Sequence, residues 1–222
     1  PCDLRCVPTR RASDLGVKDR RRRRMVEDVG AVNEWEVGRC FDQEITARIA
    51  QYELGYRMER SVPDLLDFSD EPEQTFDLYG PESRKRGTFA ANCLLARRMV
   101  ERGVRYINIV YASWDHHSNL DPELKYNAGA VDQPIAALIK DLKQRGMLDS
   151  TMVQWAAEFG RTPLGENRGG RNANTGRDHH RFCFSMVMAG GGLKGGQIYG
   201  KTDEIGWSIE ENPVHPNDLH AT

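Results

Sequence analysis

The apolar positions of this chain change period along its length, and those changes mark out its elements. From Thr88 onward, Phe89, Cys93, Ala96 and Val100 line one face at helical spacing, and Gly103 supplies a C-terminal stop. Residues 104–111 are dense in β-branched and aromatic side chains, which predicts a strand. Ile135, Leu138, Ile139 and Leu142 centre a second helix that ends at Gly146. Residues 151–157 make the next strand and residues 183–189 a third. Strand, helix and strand of these lengths predict an α/β fold, a mostly parallel sheet covered by helices. Ligands of such sheets bind beyond the carboxyl ends of the strands, where Asp115 and Glu158 fall.

The earlier part of the chain is patterned differently. Ile45, Ile49, Tyr52 and Tyr56 recur at helical spacing, with Asp42 and Glu44 near the start of the segment, and predict an amphipathic helix. Pro63, Pro72 and Pro81, with acids between them, predict a loop-rich connection. The expected organisation is therefore residues 1–15, non-native or disordered; a helical, loop-rich region over residues 16–86; and an α/β portion over residues 87–222. Asp218-Leu219-His220-Ala221-Thr222 has the form of an acidic cap and the first turn of a helix, so the α/β portion is expected to be truncated there.

Composition narrows the class. Hydrophobic residues are 39% and charged ones 29%, with a net charge of -2, which fits a soluble globular protein and gives no sign of disorder or nucleic-acid binding. No apolar run is long enough for a membrane span, and no charged start precedes an apolar stretch as in a signal peptide. The arginine run 20–24 invites a nucleic-acid or twin-arginine export reading. Met25-Val26-Glu27-Asp28-Val29 is short and acidic where a signal needs an apolar region, so the run is expected to be a solvated helix face. Five cysteines, odd in number and scattered, fit small buried hydrophobes better than disulfides or metal ligands.

The candidate chemistry lies in the histidines. Of six, four stand in two clusters, Asp115-His116-His117 and Asp178-His179-His180. Carboxylate and imidazole together suit borderline divalent cations. Alternate residues of an extended segment point to one side, so Asp115 and His117 are the expected ligand pair, with His116 facing away. His179 is the expected ligand of the second cluster, with Asp178 as ligand or orienting partner, and Glu158 as a further carboxylate. Arg161 is placed to hold an anionic oxygen by a bidentate contact. His215 and His220 are expected to be structural. Cys6-Val7-Pro8-Thr9-Arg10 is similar to the Cys-x-Pro-x-Arg signature converted to formylglycine in type I sulfatases, but that motif needs a metal-binding strand before it.

Several stretches together are characteristic: Cys93-Leu94-Leu95-Ala96-Arg97-Arg98, Trp114-Asp115-His116-His117, Asp132-Gln133-Pro134-Ile135, Glu158-Phe159-Gly160-Arg161-Thr162-Pro163 and Gly176-Arg177-Asp178-His179-His180. With Asp218-Leu219-His220-Ala221-Thr222, they resemble the domain of unknown function 1501 family, bacterial proteins abundant in planctomycetes. These look like distant relatives of sulfatases in the alkaline phosphatase superfamily. The resemblance implies an alkaline phosphatase/sulfatase-like fold, divalent metal ions (Zn²⁺, Mn²⁺ or Ca²⁺) and export to the periplasm by the twin-arginine route. It also implies a small-molecule or polysaccharide anionic ester as substrate. Asp115 and His117 match the superfamily's Asp and His on one metal, and His179 the later His that completes that site. Glu158-Phe159 stands where the superfamily has an acid-His pair for a second metal, which puts that metal in doubt. The first Asp ligand and the nucleophile belong to an N-terminal strand and helix not found in these residues, so the chain is expected to be inactive alone. A metal-dependent hydrolase of sulfate or phosphate esters is thus expected. Its rival is a non-catalytic exported metal-binding or structural protein of the same fold.

Overall fold

Thr88 and two glycines set the limits of the helices that carry the core. The computed structural model describes residues 61–166 and 175–221, with scattered helical positions between residues 21 and 32 and between 51 and 55. Helices Glu73–Tyr79 (α1), Phe89–Glu101 (α2) and Leu120–Gln144 (α3) form the packed layer. Thr88 caps α2, its hydroxyl oxygen accepting the Ala91 N–H at 3.1 Å and so satisfying one of the unpaired donors of the first turn. At the other end the Gly103 N–H reaches the Val100 carbonyl at 2.9 Å and the Val104 N–H the Met99 carbonyl at 3.0 Å. α3 ends in the same paired arrangement, Gly146 to Lys143 and Met147 to Leu142. Both glycines hold positive φ, 77° and 69°, which this cap requires. The helix expected around Ile135 therefore stops where foreseen, but starts much earlier, at Leu120.

The loop-rich connection expected around the prolines is largely helical. Residues 61–66, Pro63 among them, are helical, Pro72 is the residue before α1, and Pro81 opens the short 3₁₀ helix Pro81–Arg84. A proline lacks only a donor that the first turn leaves unpaired anyway, so Pro72 and Pro81 stand at helix starts instead of marking a loop.

The core joins Phe76 and Tyr79 of α1, Cys93 and Leu94 of α2, and Ala137, Leu138 and Leu142 of α3. Burying a side chain such as Leu94 or Leu142 contributes about 1.5–3 kcal/mol. Burial pushes the Cys93 thiol up to about 12, as expected of a cysteine that packs and does not react. Cys183 is also free and buried. Gln133 of α3 ties the helices together, its amide donating to the Asp77 and Leu78 carbonyls at 3.2 Å and so capping the end of α1.

A buried ionic layer covers one side of this core. Arg97, 2% exposed, meets Glu71 at 2.5 Å and Glu101 at 2.7 Å, and its Nε lies 3.0 Å from Asp141, off hydrogen-bond geometry. Arg98 meets Asp70 and Glu71, while Arg145 meets Glu101 and Asp141. The Tyr79 hydroxyl donates to Asp141 at 3.1 Å. Burial works against the Arg97 charge, but the hydrogen bonds and charges of Glu71 and Glu101 outweigh it and raise its pKa.

The strands are Met152–Trp155 (β1), Gly160–Glu166 (β2), Gly176–His180 (β3), Val187–Gly190 (β4), Lys201–Thr202 (β5) and Ile209–Glu211 (β6). A mixed helix-and-strand fold is what the patterning predicts, but a large parallel sheet is not present among the described residues. β1 pairs with β4, β2 with β3 and β5 with β6, all antiparallel. A parallel neighbour needs a crossover, usually a helix, and the stretch between β1 and β4 contains the β2–β3 pair in its place. Residues 104–111 belong to no described strand pair. Their burial nonetheless alternates as a strand's does, with Ile107, Ile109 and Tyr111 partly covered and Tyr106, Asn108 and Val110 exposed.

The last helix is Pro216–Ala221 (α4), with Pro216 at its first position. His215 precedes it, its Nδ1 accepting the Asn217 N–H at 3.1 Å while Asp218 accepts the His215 N–H at 3.0 Å. This is a reciprocal capping box, so His215 is structural, and Asp218 lies inside the first turn. The chain divides after Asp67 into two compact units. In the first, Arg21, Arg23 and Arg24 are helical and exposed, and Arg23 pairs with Glu27 one turn on at 2.9 Å. Residues 1–15, the helix expected through Ile45 to Tyr56, and Cys2, Cys6 and Cys40 lie outside the described residues, except for helical positions at 51, 54 and 55. No helix among the described residues is long and apolar enough to cross a membrane.

Candidate metal centre

The Asp115–His117 segment is an irregular loop held from both sides. On the helix side, Asn127 of α3 donates to the Ser113 carbonyl, lies 3.0 Å from His116 Nε2, and accepts the Tyr111 hydroxyl at 3.4 Å. Phe89, Tyr111, Trp114 and His116 follow one another edge to face at 5.3, 6.0 and 6.2 Å. Ser113 sits at φ 78°, a conformation that costs a non-glycine residue energy and that the surrounding contacts must hold. His116 is 5% exposed and committed to this support.

On the strand side, the loop lies directly on β3. The Arg177 N–H donates to the His116 carbonyl at 2.8 Å, the Leu120 N–H donates to the Thr175 carbonyl, and Ser118 bridges Thr175. A side chain at Gly176 would meet the His117 carbonyl carbon at 2.0 Å, so only glycine permits this approach. β3 in turn pairs with β2 so that Arg161 stands opposite His179.

These supports bring nitrogen donors from separate elements to one oxygen. Asp115 Oδ1 lies 3.0 Å from His117 Nε2, 2.8 Å from His179 Nε2 and 2.8 Å from Arg161 Nη2. The two imidazole nitrogens are 3.2 Å apart. The hydrogen bond from His179, then that from Arg161, hold the Asp115 carboxyl well below the usual carboxylate range. Asp115, His117 and His179 each offer one ligand atom within 4.8 Å of the others, a cluster of the size that one cation can gather. A second group of this kind is His117, Glu166 and Asp178. The Phe159 ring packs over His179 with centroids 4.3 Å apart. The donors are two imidazoles and a carboxylate, which fit a borderline divalent ion such as Zn²⁺ or Mn²⁺.

A family model described as "Protein of unknown function (DUF1501)" matches residues 8–222. The chain belongs to the DUF1501 family. No match was found among curated proteins or among solved structures. The motifs that resemble DUF1501 are spread through the sequence, and three of them, around Asp115, Arg161 and His179, meet at the centre just described.

Of the residues singled out from sequence, Asp115, His117 and His179 come together, with Arg161 against them. Asp178 accepts the His179 backbone N–H at 2.8 Å and stands in the second group. Glu158 is exposed and belongs to neither group, because the strand that reaches His179 begins at Gly160 and presents Arg161. His180 is buried, its Nε2 lying 2.6 Å from the Trp207 carbonyl and its ring stacked on the Trp207 indole. The DUF1501 residue that sequence reasoning missed is Glu166, whose Oε2 lies 2.6 Å from His117 Nδ1. The signal that would have found it is the pair of glycine-bounded segments flanking residues 167–175, which form the β2–β3 pair and set Glu166 across from Gly176.

Proposed function

We propose that this DUF1501 protein is a metal-dependent hydrolase of sulfate or phosphate esters, built on an alkaline phosphatase/sulfatase-like fold and exported. The observation that carries the reading is the convergence of Asp115, His117 and His179 within ligand distance of one point, beside a guanidinium. Two imidazoles and one carboxylate favour Zn²⁺ or Mn²⁺ over Ca²⁺, which prefers an all-oxygen shell. A metal held there would polarise an ester oxygen and lower the pKa of a water or other nucleophile. Arg161, released from Asp115, is placed to hold an anionic oxygen of a small-molecule or polysaccharide ester. His116 and Asn127 keep the ligand loop fixed, and Phe159 packs on the exposed His179 to limit its motion.

The test is metal analysis of the purified chain beside Asp115→Ala and His179→Ala. We expect one equivalent of Zn²⁺ or Mn²⁺ in the wild type and loss of it in both variants. A wild-type chain that takes up neither ion refutes the proposal. A specific observation also favours a second reading, a non-catalytic exported metal-binding or structural protein. Phe159, not an imidazole, packs on His179, and Glu158 stays outside the cluster. Asp115-dependent turnover of aryl sulfate or phosphate esters by a full-length homologue that carries the nucleophile separates the two, because only the hydrolase shows it.

A further inference from the structure

We infer that Glu166 is the positioning residue that presents His117 Nε2 to a metal, an inference that rests on the metal-centre reading above. An imidazole binds a metal through one nitrogen while the other carries the proton, and a carboxylate accepting that proton fixes both the tautomer and the ring plane. His117 is arranged in this way. Its Nδ1 lies 2.6 Å from Glu166 Oε2, and its Nε2, at the opposite side of the ring, lies 3.0 Å from Asp115 Oδ1 and 3.2 Å from His179 Nε2. Both side chains are mostly covered, His117 at 15% exposed and Glu166 at 20%, so water competes little for the contact.

The fold delivers Glu166 to this position through the register of β2 and β3. Glu166 ends β2 and pairs with Gly176, and Gly176 is where the His117 backbone rests. The register shifts between Arg161 and Gly165, so four residues of β2 span what two residues of β3 span, from His179 to Arg177. That shift lets one strand set Arg161 against the Asp115 side of the cluster and Glu166 against the far side of His117. A carboxylate in this role raises the basicity of the imidazole, and removing such a partner weakens metal binding about 10- to 100-fold.

The competing arrangement uses His117 Nδ1, Glu166 and Asp178 as ligands of a second cation. Calorimetric Zn²⁺ titration of the full chain, wild type beside Glu166→Ala and Glu166→Gln, distinguishes the two. One site is expected throughout, with affinity about 10- to 100-fold weaker in Glu166→Ala. Affinity should be largely recovered in Glu166→Gln, whose amide oxygen still accepts from Nδ1–H. Proton–nitrogen correlation spectra of the zinc-loaded wild type should show His117 protonated at Nδ1 and metal-bound at Nε2. Two zinc equivalents in the wild type, falling to one in both variants, would make Glu166 a ligand and overturn the inference. Undiminished affinity in Glu166→Ala would overturn it as well, while leaving the metal centre intact. Absence of zinc from the wild type ends both, and loss of fold in Glu166→Ala leaves Glu166→Gln and the wild-type spectra to decide.

Discussion

Two charge assemblies in this molecule are built from similar residues and differ in how they share their partners. Around Arg97, each guanidinium meets at least two carboxylates, and Glu71, Glu101 and Asp141 each meet two arginines. The charges interlock and are mostly buried. Around Asp115, three cationic or imidazole groups crowd one oxygen of a carboxylate that is 64% exposed. An interlocked buried layer loses heavily when any member leaves, whereas donors convergent on one exposed atom can be exchanged for a small cation. The first arrangement secures helices, and the second suits reversible binding.

The sharpest way to break this contrast is to remove one arginine from each assembly. Arg97→Met takes from each of the buried carboxylates Glu71 and Asp141 one of its two arginines and should cost about 3–5 kcal/mol in urea unfolding. Arg161→Met, at the open cluster, should cost far less, because exposed ion pairs are weak and screened by salt. Equal losses would mean that the Asp115 cluster is as structural as the Arg97 layer.

The helical region was largely legible in the sequence. Gly103 and Gly146 mark their helix ends because the paired C-terminal cap needs a residue at positive φ, and glycine takes it without penalty. Residue type alone brought Asp115, His117 and His179 into one hypothesis, since few other chemistries gather those side chains. Strand direction was not legible, because it depends on whether the connection returns through a helix or through a hairpin, and residues 156–186 look locally like neither. Glu158 attracted attention as the acid at a strand end, while Glu166 did not, because its meeting with His117 is set by cross-strand register. The prolines misled for a simpler reason: Pro72 and Pro81 are as compatible with a helix start as with a loop.

A gentler probe acts through the backbone. Gly176→Ala would set a methyl 2.0 Å from the His117 carbonyl carbon, so the ligand loop must lift from β3. The expected result is a stability loss of about 1–3 kcal/mol together with weakened Zn²⁺ binding. Gly103→Ala is the matched control, since a methyl there meets nothing within 4 Å and suffers only from its positive φ. It should cost about 1 kcal/mol and leave zinc binding unchanged. If both variants bind zinc as the wild type does, the loop's seat on β3 is not what aligns the site.

The smallest effect concerns how Asp115 responds to acid without metal. Its folded-state pKa is lowered, first by His179 and then by Arg161, below the ordinary value of 3.8. A group lowered on folding stabilises the protein above its unfolded pKa and loses that contribution as pH falls through the folded value. Asp115→Asn lacks this contribution at every pH. Metal-free wild type should therefore resist urea slightly better than Asp115→Asn at neutral pH, and the gap should close progressively below about pH 4. Because the carboxylate is exposed, added salt should narrow the gap at neutral pH too. The neutral-pH gap between wild type and Asp141→Asn should by contrast be insensitive to salt, since Arg97 and Arg145 hold that carboxylate out of solvent. A neutral-pH gap at Asp115 that ignores both acid and salt would mean that its contacts are as enclosed as those of the helical layer, and the distinction between the two assemblies would fail.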